Sequence, residues 1–267
     1  MSSTTWTRRS LLRVYGNWRS RFIPQRPREV HISRELQQEL DASPPWAAKV
    51  ATVLDEIRRG ENLEPRLSTR VDVAYLPPEK RRRAGPDVDV QLAHDGLHHL
   101  HIGEHVPGKR FVERGNDLLF AAFKDTDAFV IGVYRHGAWG RRDLLERLVR
   151  NWPEADLIPR LEGLRASQPD PTDEERWQMM KAGLTVFIEI DGAVYAPLGQ
   201  SLAGTPIDVT DRVNEFIWNL EAIREEGLDA VVTRRGGDPR LYWNPCVVDN
   251  HIGLRSSQGF IALGQLA

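Results

Sequence analysis

The sequence of 267 residues predicts an α+β protein, in which N-terminal helices precede an antiparallel β-meander and a second α+β half follows. Three observations predict this class. Residues 33–59 carry apolar side chains at helical spacing, residues 98–136 contain three short strand-like runs, and residues 209–226 again show one apolar helical face. The composition, 40% hydrophobic and 28% charged, is that of a globular chain long enough for one large domain or two small ones.

The first 30 residues are predicted to form an arginine-rich arm. Residues 1–28 contain seven arginines and no acidic residue, and a second basic run, Lys80–Arg83, lies in a Pro- and Gly-rich loop. Such basic blocks either contact phosphate groups or form solvated segments, and both interpretations stay open. The net charge of −2 predicts no attraction of the whole molecule to nucleic acid or membrane.

A helical segment is predicted over residues 33–59. Ser33 is a suitable N-cap, the Pro44-Pro45 pair divides the segment into two helices, and Gly60 suits the C-terminal cap. The apolar positions recur every three or four residues, so one face of each helix is expected to pack on a core.

Three strands and a helix follow. His98–Gly103 alternates, Leu118–Phe123 is a continuous apolar run, and Ala128–His136 is rich in β-branched and aromatic residues. The polar turn at residues 124–127 makes an antiparallel meander the simplest arrangement. The apolar spacing over Arg141–Asn151 then predicts a helix.

The chain is predicted to consist of three parts. The arm covers residues 1–30, residues 31–164 hold the helices and the histidine-bearing sheet, and residues 165–267 form a hairpin, a helix and further strands of unknown role. The segment 165–173 has the composition of a linker. The middle part is the one to which we assign catalysis.

The histidines are the most unusual feature of the chain. Five of the eight fall within twelve residues, namely His94, His98, His99, His101 and His105. Histidine titrates near neutral pH and is the commonest metal ligand, so the segment is an acid/base site, a metal site or a solvated turn. Because Leu100 and Ile102 belong in the core, strand alternation places His98 on the core side and His99 and His101 on the opposite face.

One interpretation of the histidines is metal-independent cleavage of RNA. His99 and His101 would form the acid/base pair, and His136, at the end of the third strand, would be the third histidine. Arg114 would stabilise the charge of the transition state. This hypothesis requires these four side chains to meet in one cleft.

Three neighbouring side chains are predicted to bind the substrate. Arg110 and Lys109 are candidate ligands of phosphate groups in RNA. Trp139 follows the third strand and is a candidate to stack on an unpaired base, although packing in the core explains it as well. No cofactor is expected in this mechanism.

The string GLHHLHIG at residue 96, with KRFVERGNDLLFAAF and AFVIGVYRHG after it, resembles the sheet of RelE/HigB-type toxins. The resemblance covers about residues 33–150, including the two helices before the sheet. It implies a ribonuclease of a toxin–antitoxin pair, with RNA as substrate and an antitoxin as partner. His136-Gly137 stands where those toxins usually carry paired lysines. The strings HHLHIG, LLFAAF, HGAW and RNWPE also look like a signature of uncharacterised bacterial proteins.

Two other interpretations remain open. The spacing of His99, His101 and Glu104 resembles the first motif of cupins, with His136 as a later ligand, and would hold a metal ion. The second cupin motif is absent. Alternatively, the protein is a non-enzymatic interaction module whose binding half is residues 184–267, and the histidines are structural.

Several classes are excluded or disfavoured by what the sequence lacks. There is no Gly-rich cofactor fingerprint, Walker motif or Gly-x-Ser-x-Gly elbow. Cys246 is the only cysteine, so no disulfide forms within the chain. The string at Thr7–Arg13 looks like a twin-arginine motif, but no apolar stretch follows it, and no apolar run approaches the roughly 20 residues of a membrane span. We therefore expect a cytoplasmic protein.

Overall fold

The computed structural model describes residues 8–71, 89–165, 170–199, 206–248 and 251–265. Within these residues the chain forms eight α-helices and ten strands in three sheets, which confirms the α+β class. The basic run Lys80–Arg83 lies outside the described residues. No described helix is both long and apolar enough to cross a membrane.

The elements follow one another along the chain as listed here. The helices are α1 (Arg8–Arg19), α2 (Arg34–Asp41), α3 (Ala47–Arg59), α4 (Val90–Asp95), α5 (Arg142–Asn151), α6 (Asp173–Lys181), α7 (Ile207–Glu226) and α8 (Leu228–Arg234). The strands are β1 (Glu29–Ile32), β2 (His98–His101), β3 (Asp117–Phe123), β4 (Asp127–Arg135), β5 (Arg160–Leu161), β6 (Ile188–Ile190), β7 (Ala193–Tyr195), β8 (Asn244–Val248), β9 (His251–Ser256) and β10 (Gly259–Gln265). Two short 3₁₀ helices cover Glu64–Arg66 and Pro153–Ala155.

The chain divides into two compact units, and this division differs from the predicted one. The main unit comprises residues 21–206, and the smaller unit combines residues 1–20 with 207–267. The predicted linker at 165–173 lies inside the main unit, because β7 pairs with β5, which precedes the linker, and with β6, which follows it. The predicted arm is divided as well, because its first half forms α1.

The arm is also less solvated than its composition suggests. Arg21 and Arg28 are buried, and the guanidinium of Arg28 donates hydrogen bonds to the backbone oxygens of Lys124, Pro24 and Arg26. Burial lowers the pKa of Arg28 from its ordinary value. These two arginines are therefore part of the folded main unit rather than solvated side chains.

A four-stranded sheet in the order β1-β4-β3-β2 organises the main unit. The antiparallel meander of β2, β3 and β4 is confirmed, while β1, which was not predicted, adds to β4 in parallel. Because β2 and β4 both run against β3, they run in the same direction and end at the same end of the sheet. His101, at the end of β2, pairs with Leu118 of β3, which in turn pairs with Tyr134 of β4.

Each face of this sheet is covered by a separate core. One face, with Leu100 and Leu119, packs on apolar residues of α2 and α3. The other face, with Leu118 and Phe120, packs on α5 and on the small sheet of β5, β7 and β6. The predicted alternation along β2 is confirmed, since Leu100 lies in the first core and the partners of His99 and His101 lie in the second.

The predicted helix signals act as expected. The hydroxyl of Ser33 accepts a hydrogen bond from the Leu36 amide and donates one to the Ile131 carbonyl, so it caps α2 and ties it to β4. The Pro44-Pro45 pair lies between α2 and α3, and Gly60 ends α3 with a left-handed φ of 70°. A Cβ at this position would meet the backbone of Arg26 and Pro27, so only glycine fits.

The smaller unit has a core of its own. Helices α1 and α7 pack together, and α7 also packs on β10 of an antiparallel sheet in the order β10-β9-β8. Its buried residues are Phe216, Val231, Val232, Trp243, Leu254, Ile261 and Leu263. The helix predicted over residues 209–226 is confirmed with a start at Ile207.

A buried ion pair fixes the end of β2. The guanidinium of Arg66 donates two hydrogen bonds to the carboxylate of Glu56 on α3, and both residues are at most 4% exposed. The remaining nitrogen of Arg66 donates to the carbonyl oxygens of His101, at 3.1 Å, and Gly103, at 3.2 Å. The Arg66 side chain thus joins helix α3, the 3₁₀ helix at Glu64–Arg66 and the end of strand β2.

Substituting Arg66→Met tests this role. The variant leaves the buried Glu56 carboxylate without its cationic partner and takes a donor from two carbonyls, so we expect the free energy of unfolding to fall by about 3–5 kcal/mol. The control is Arg59→Met, which breaks the exposed pair with Glu61 and should lose much less stability, because water screens a surface ion pair. Urea unfolding at neutral pH measures both, and equal losses in the two variants would contradict this role for Arg66.

Candidate functional site

The predicted catalytic residues His99, His101, His136 and Arg114 lie near the end of the sheet at which β2 and β4 end. His101 is 8% exposed, and its Nδ1 is buried without a hydrogen-bond partner among the described residues. Burial, together with the positive charge of Arg114 and the imidazoles of His99 and His136, lowers its pKa to about 3. The structure therefore brings His99, His136 and Arg114 into electrostatic range of one neutral imidazole.

Trp139 connects two of these histidines. Its ring centroid lies 4.9 Å from that of His99 and 5.3 Å from that of His136, and both pairs are edge-to-face. The Trp139 ring also contacts the rings of Phe120 and Trp177, with centroid distances of 6.0 and 6.4 Å. Trp139 is half-buried, so it both packs on the core and forms one wall of the site.

Arg114 lies in the loop between β2 and β3. One nitrogen of its guanidinium donates a hydrogen bond of 2.9 Å to the Leu67 carbonyl, and the group stacks 4.9 Å from the centre of the Phe111 ring. Desolvation lowers the pKa of Arg114 from its ordinary value. The loop is therefore held by a backbone contact and an aromatic contact, and Arg114 keeps other N–H groups for a ligand.

Arg114 also lines a cleft of about 680 Å³ at the same end of the sheet. The cleft opens between the ends of the strands and the helices α2 and α3. Its charged lining consists of three cations and three carboxylates, which are Lys49, Arg114, Arg135, Glu39, Glu113 and Asp117. Of the predicted catalytic residues only Arg114 lines this cleft, since His99, His101 and His136 are absent from its lining.

Arg110 and Lys109, the predicted phosphate ligands, are placed less favourably than Arg114 for binding a phosphate. The guanidinium of Arg110 also stacks on the Phe111 ring, 4.9 Å from its centre. Its Nε donates a hydrogen bond of 2.6 Å to a Glu64 oxygen. Arg110 must therefore release Glu64 before it binds a phosphate. Lys109 is exposed in the turn that precedes it.

The five clustered histidines occupy different environments. His98 faces the helices on the other side of the sheet, contacts Phe123 edge-to-face at 5.4 Å, and has its pKa lowered to about 4 by burial. His105 is exposed, with Nε2 3.2 Å from a Glu56 oxygen. His94 is fully buried beside Asp95. Only His99 and His101 belong to the site, so the cluster is mostly structural.

A buried network of hydrogen bonds holds the backbone next to Trp139. The side chain of Gln91 donates to Asp95 at 2.6 Å and accepts from the backbone N–H of Gly140 at 3.0 Å. Asp95 also accepts from His94 Nδ1 at 2.7 Å and from Arg176 at 2.5 Å. Because Gly140 follows Trp139, this network sets the backbone at the site. Sequence reasoning missed it, since no short motif links Gln91 to residue 140.

Asp89 is a second residue that the sequence analysis did not assign to the site. It caps α4 by accepting from the Leu92 amide, and its other carboxylate oxygen lies 3.7 Å from Nδ1 of His99. The capping pattern was visible in the sequence, but the approach to His99 depends on the turn between α4 and β2.

The predicted cupin-like ligands do not form a metal set. Among the described residues, one group of three has ligand atoms within 4.8 Å of one another, and it is Glu29, His31 and Asp127. The expected set on the histidine strand fails because β2 ends at His101, which leaves Glu104 exposed in the following loop. Comparisons with protein-family models, with curated proteins and with solved structures found no match for this chain.

The low pKa values of His98 and His101 predict a pH dependence of stability. Both lie below the ordinary value of 6.5, so between about pH 4 and pH 6.5 the unfolded chain binds protons that the folded chain excludes. The free energy of unfolding therefore has its full value above pH 6.5 and falls as the pH is lowered. The fall is about 1.4 kcal/mol per pH unit for each imidazole.

Urea unfolding as a function of pH measures this slope. His98→Asn and His101→Asn are each expected to reduce the slope by the contribution of one proton, and the exposed His105→Asn serves as the matched control. A slope that is identical in the wild type and in both buried-site variants would contradict the assignment of neutral, buried imidazoles.

Proposed function

We propose that this chain is a metal-independent endoribonuclease that cleaves RNA at the site around His101. The observation that carries the proposal is that Trp139 contacts both His99 and His136, with the buried His101 two residues from His99 on the same face of β2. Two or more imidazoles, one guanidinium and an aromatic ring supply what transfer of a phosphodiester to its own 2′-hydroxyl requires. The protein acts in the cytoplasm in this proposal.

The environment of each imidazole assigns its role. His101, with a pKa of about 3, is unprotonated at neutral pH and serves as the general base that takes the proton from the ribose 2′-hydroxyl. The 2′-oxygen then attacks phosphorus, and the 5′-oxygen leaves with a proton from His99. The Asp89 carboxylate lies 3.7 Å from His99 Nδ1. In this proposal His101 is the base of the predicted acid/base pair and His99 is the acid.

The remaining residues bind the substrate and the transition state. Arg114 stabilises the additional negative charge on the phosphoryl oxygens. The exposed His136 is positioned to contact the same phosphate from the solvent side. Trp139, between His99 and His136, offers an aromatic face to a base next to the scissile bond. Arg110 and Lys109 would contact phosphates further along the strand.

The order of elements supports the same proposal. Helices α2 and α3 precede the antiparallel meander, which is the layout that the resemblance to RelE/HigB-type toxins implies. If the chain is such a toxin, a protein partner would cover the site and keep it inactive. The histidines that replace the usual lysines would then make catalysis depend on imidazole rather than on ammonium groups.

An RNA-cleavage assay with a fluorogenic oligonucleotide in excess EDTA tests the proposal. We expect wild-type cleavage to resist EDTA and His101→Ala to lose about 10²–10⁴-fold in rate, the range of a general base. His105→Ala is the matched control, because it removes a neighbouring histidine outside the site. Cleavage that requires a divalent ion, or that survives in His101→Ala, would contradict the proposal.

A second candidate function is the non-enzymatic interaction module. It is favoured by large apolar side chains that are exposed within residues 184–267, among them Leu184, Phe187, Trp218, Leu220 and Tyr242. Tyr242 is 82% exposed and Trp218 63% exposed. Absence of cleavage in the assay, together with a growth phenotype that is lost in the double variant Trp218→Ser and Tyr242→Ser, would favour this module.

A further inference from the structure

A cluster of three ligand groups lies on the edge strand β1, away from the histidine site. Glu29 and His31 on β1 and Asp127 on β4 each offer one ligand atom, and these atoms lie within 4.8 Å of one another. Nε2 of His31 is 2.8 Å from Oδ1 of Asp127. Two carboxylates and one imidazole therefore meet at one point of the surface.

Strand pairing explains why these residues meet. Glu29 and His31 are two residues apart and share one face of β1, and the parallel register places Glu29 directly opposite Asp127. Two carboxylates opposite one another on neighbouring strands repel each other. Among the ion pairs of the described residues, neither carboxylate has a Lys or Arg partner. Hydrogen bonds from Thr126 and His31, and the charge of Lys124, lower the pKa of Asp127, so this carboxylate is ionised and able to bind a cation.

Two of the three groups are already held in place. The His31 ring stacks on the ring of Phe129, with centroids 4.9 Å apart and an angle of 18° between the planes. Oδ2 of Asp127 accepts a hydrogen bond of 2.6 Å from the Thr126 hydroxyl, which leaves Oδ1 directed to His31. Glu29 is exposed and free to adjust its rotamer. The orientation of the ligands is thus largely set by packing and by an outer hydrogen bond.

We propose that Glu29, His31 and Asp127 bind a divalent transition-metal ion, with Zn²⁺ as the representative. Mixed imidazole and carboxylate ligands suit Zn²⁺ better than Mg²⁺, which prefers oxygen ligands alone. Bonds of about 2.1 Å bring two ligand atoms on one ion to within about 4.2 Å. A small rotation of the Glu29 side chain closes the set, and water completes the coordination. The ion would tie β1 to the start of β4.

This site is independent of the proposed ribonuclease. Strands β1 and β2 form opposite edges of the sheet, which places them about 14 Å apart at three strand spacings. Asp127 begins β4, whereas His136 follows its last residue. Binding of zinc at β1 and cleavage of RNA near β2 therefore succeed or fail separately.

Isothermal titration of the full-length chain with ZnCl₂ tests the site. We expect one saturable binding event per chain, at least tenfold weaker in His31→Ala, and also weakened in the isosteric Glu29→Gln. MgCl₂ should produce no comparable heat. The control is His105→Ala, which removes another exposed imidazole near a carboxylate and should bind zinc as the wild type does.

Two results would overturn the site. One is the absence of saturable zinc binding, and the other is a zinc affinity that is the same in His31→Ala, Glu29→Gln and the wild type. Circular dichroism of each variant checks that the fold is retained, and Glu29→Gln, at an exposed position, keeps the test valid if His31→Ala fails to fold. RNA cleavage by His31→Ala should equal that of the wild type.

Discussion

The buried pair of Arg66 and Glu56 is the interaction on which the rest of the main unit depends. Arg66 reaches the carbonyls of His101 and Gly103, so the end of β2 has a fixed position relative to α3. Removing two charges from water is costly, and the cost is offset only because every oxygen of Glu56 and both carbonyls have donors. The position of His101, and hence the geometry of the candidate site, follows from this contact.

The chemistry of the site follows from unequal burial of similar groups. Burial keeps the imidazole of His101 uncharged, whereas His136 is exposed and Arg114 lines a cleft. In the proposed mechanism this difference in desolvation makes His101 the base. The network of Gln91 and Asp95 adds rigidity, because it holds the backbone after Trp139 from the interior.

Local signals in the sequence were sufficient for α2, α3, α5, α7 and the meander, but not for α4 or α8. The cap at Ser33, the break at Pro44-Pro45 and the alternation around Leu100 all act over a few residues, so they were visible without the fold. β1 was not predicted, since four residues carry little periodicity and its pairing with β4 spans about a hundred positions. Gln91 and the buried Arg28 were missed for a similar reason, because one partner of each, Gly140 for Gln91 and Lys124 for Arg28, is distant in the chain.

The central claim is that RNA binds where His99, His101, His136 and Trp139 meet, and the most direct test is an NMR titration. A 2′-deoxy oligonucleotide, which binds without being cleaved, is added to the full chain while the imidazole Cε1–H and indole N–H signals are followed. We expect the signals of these four residues to shift together and to saturate, while those of His31 and His105 stay unchanged. Shifts confined to other residues, or none at all, would contradict it.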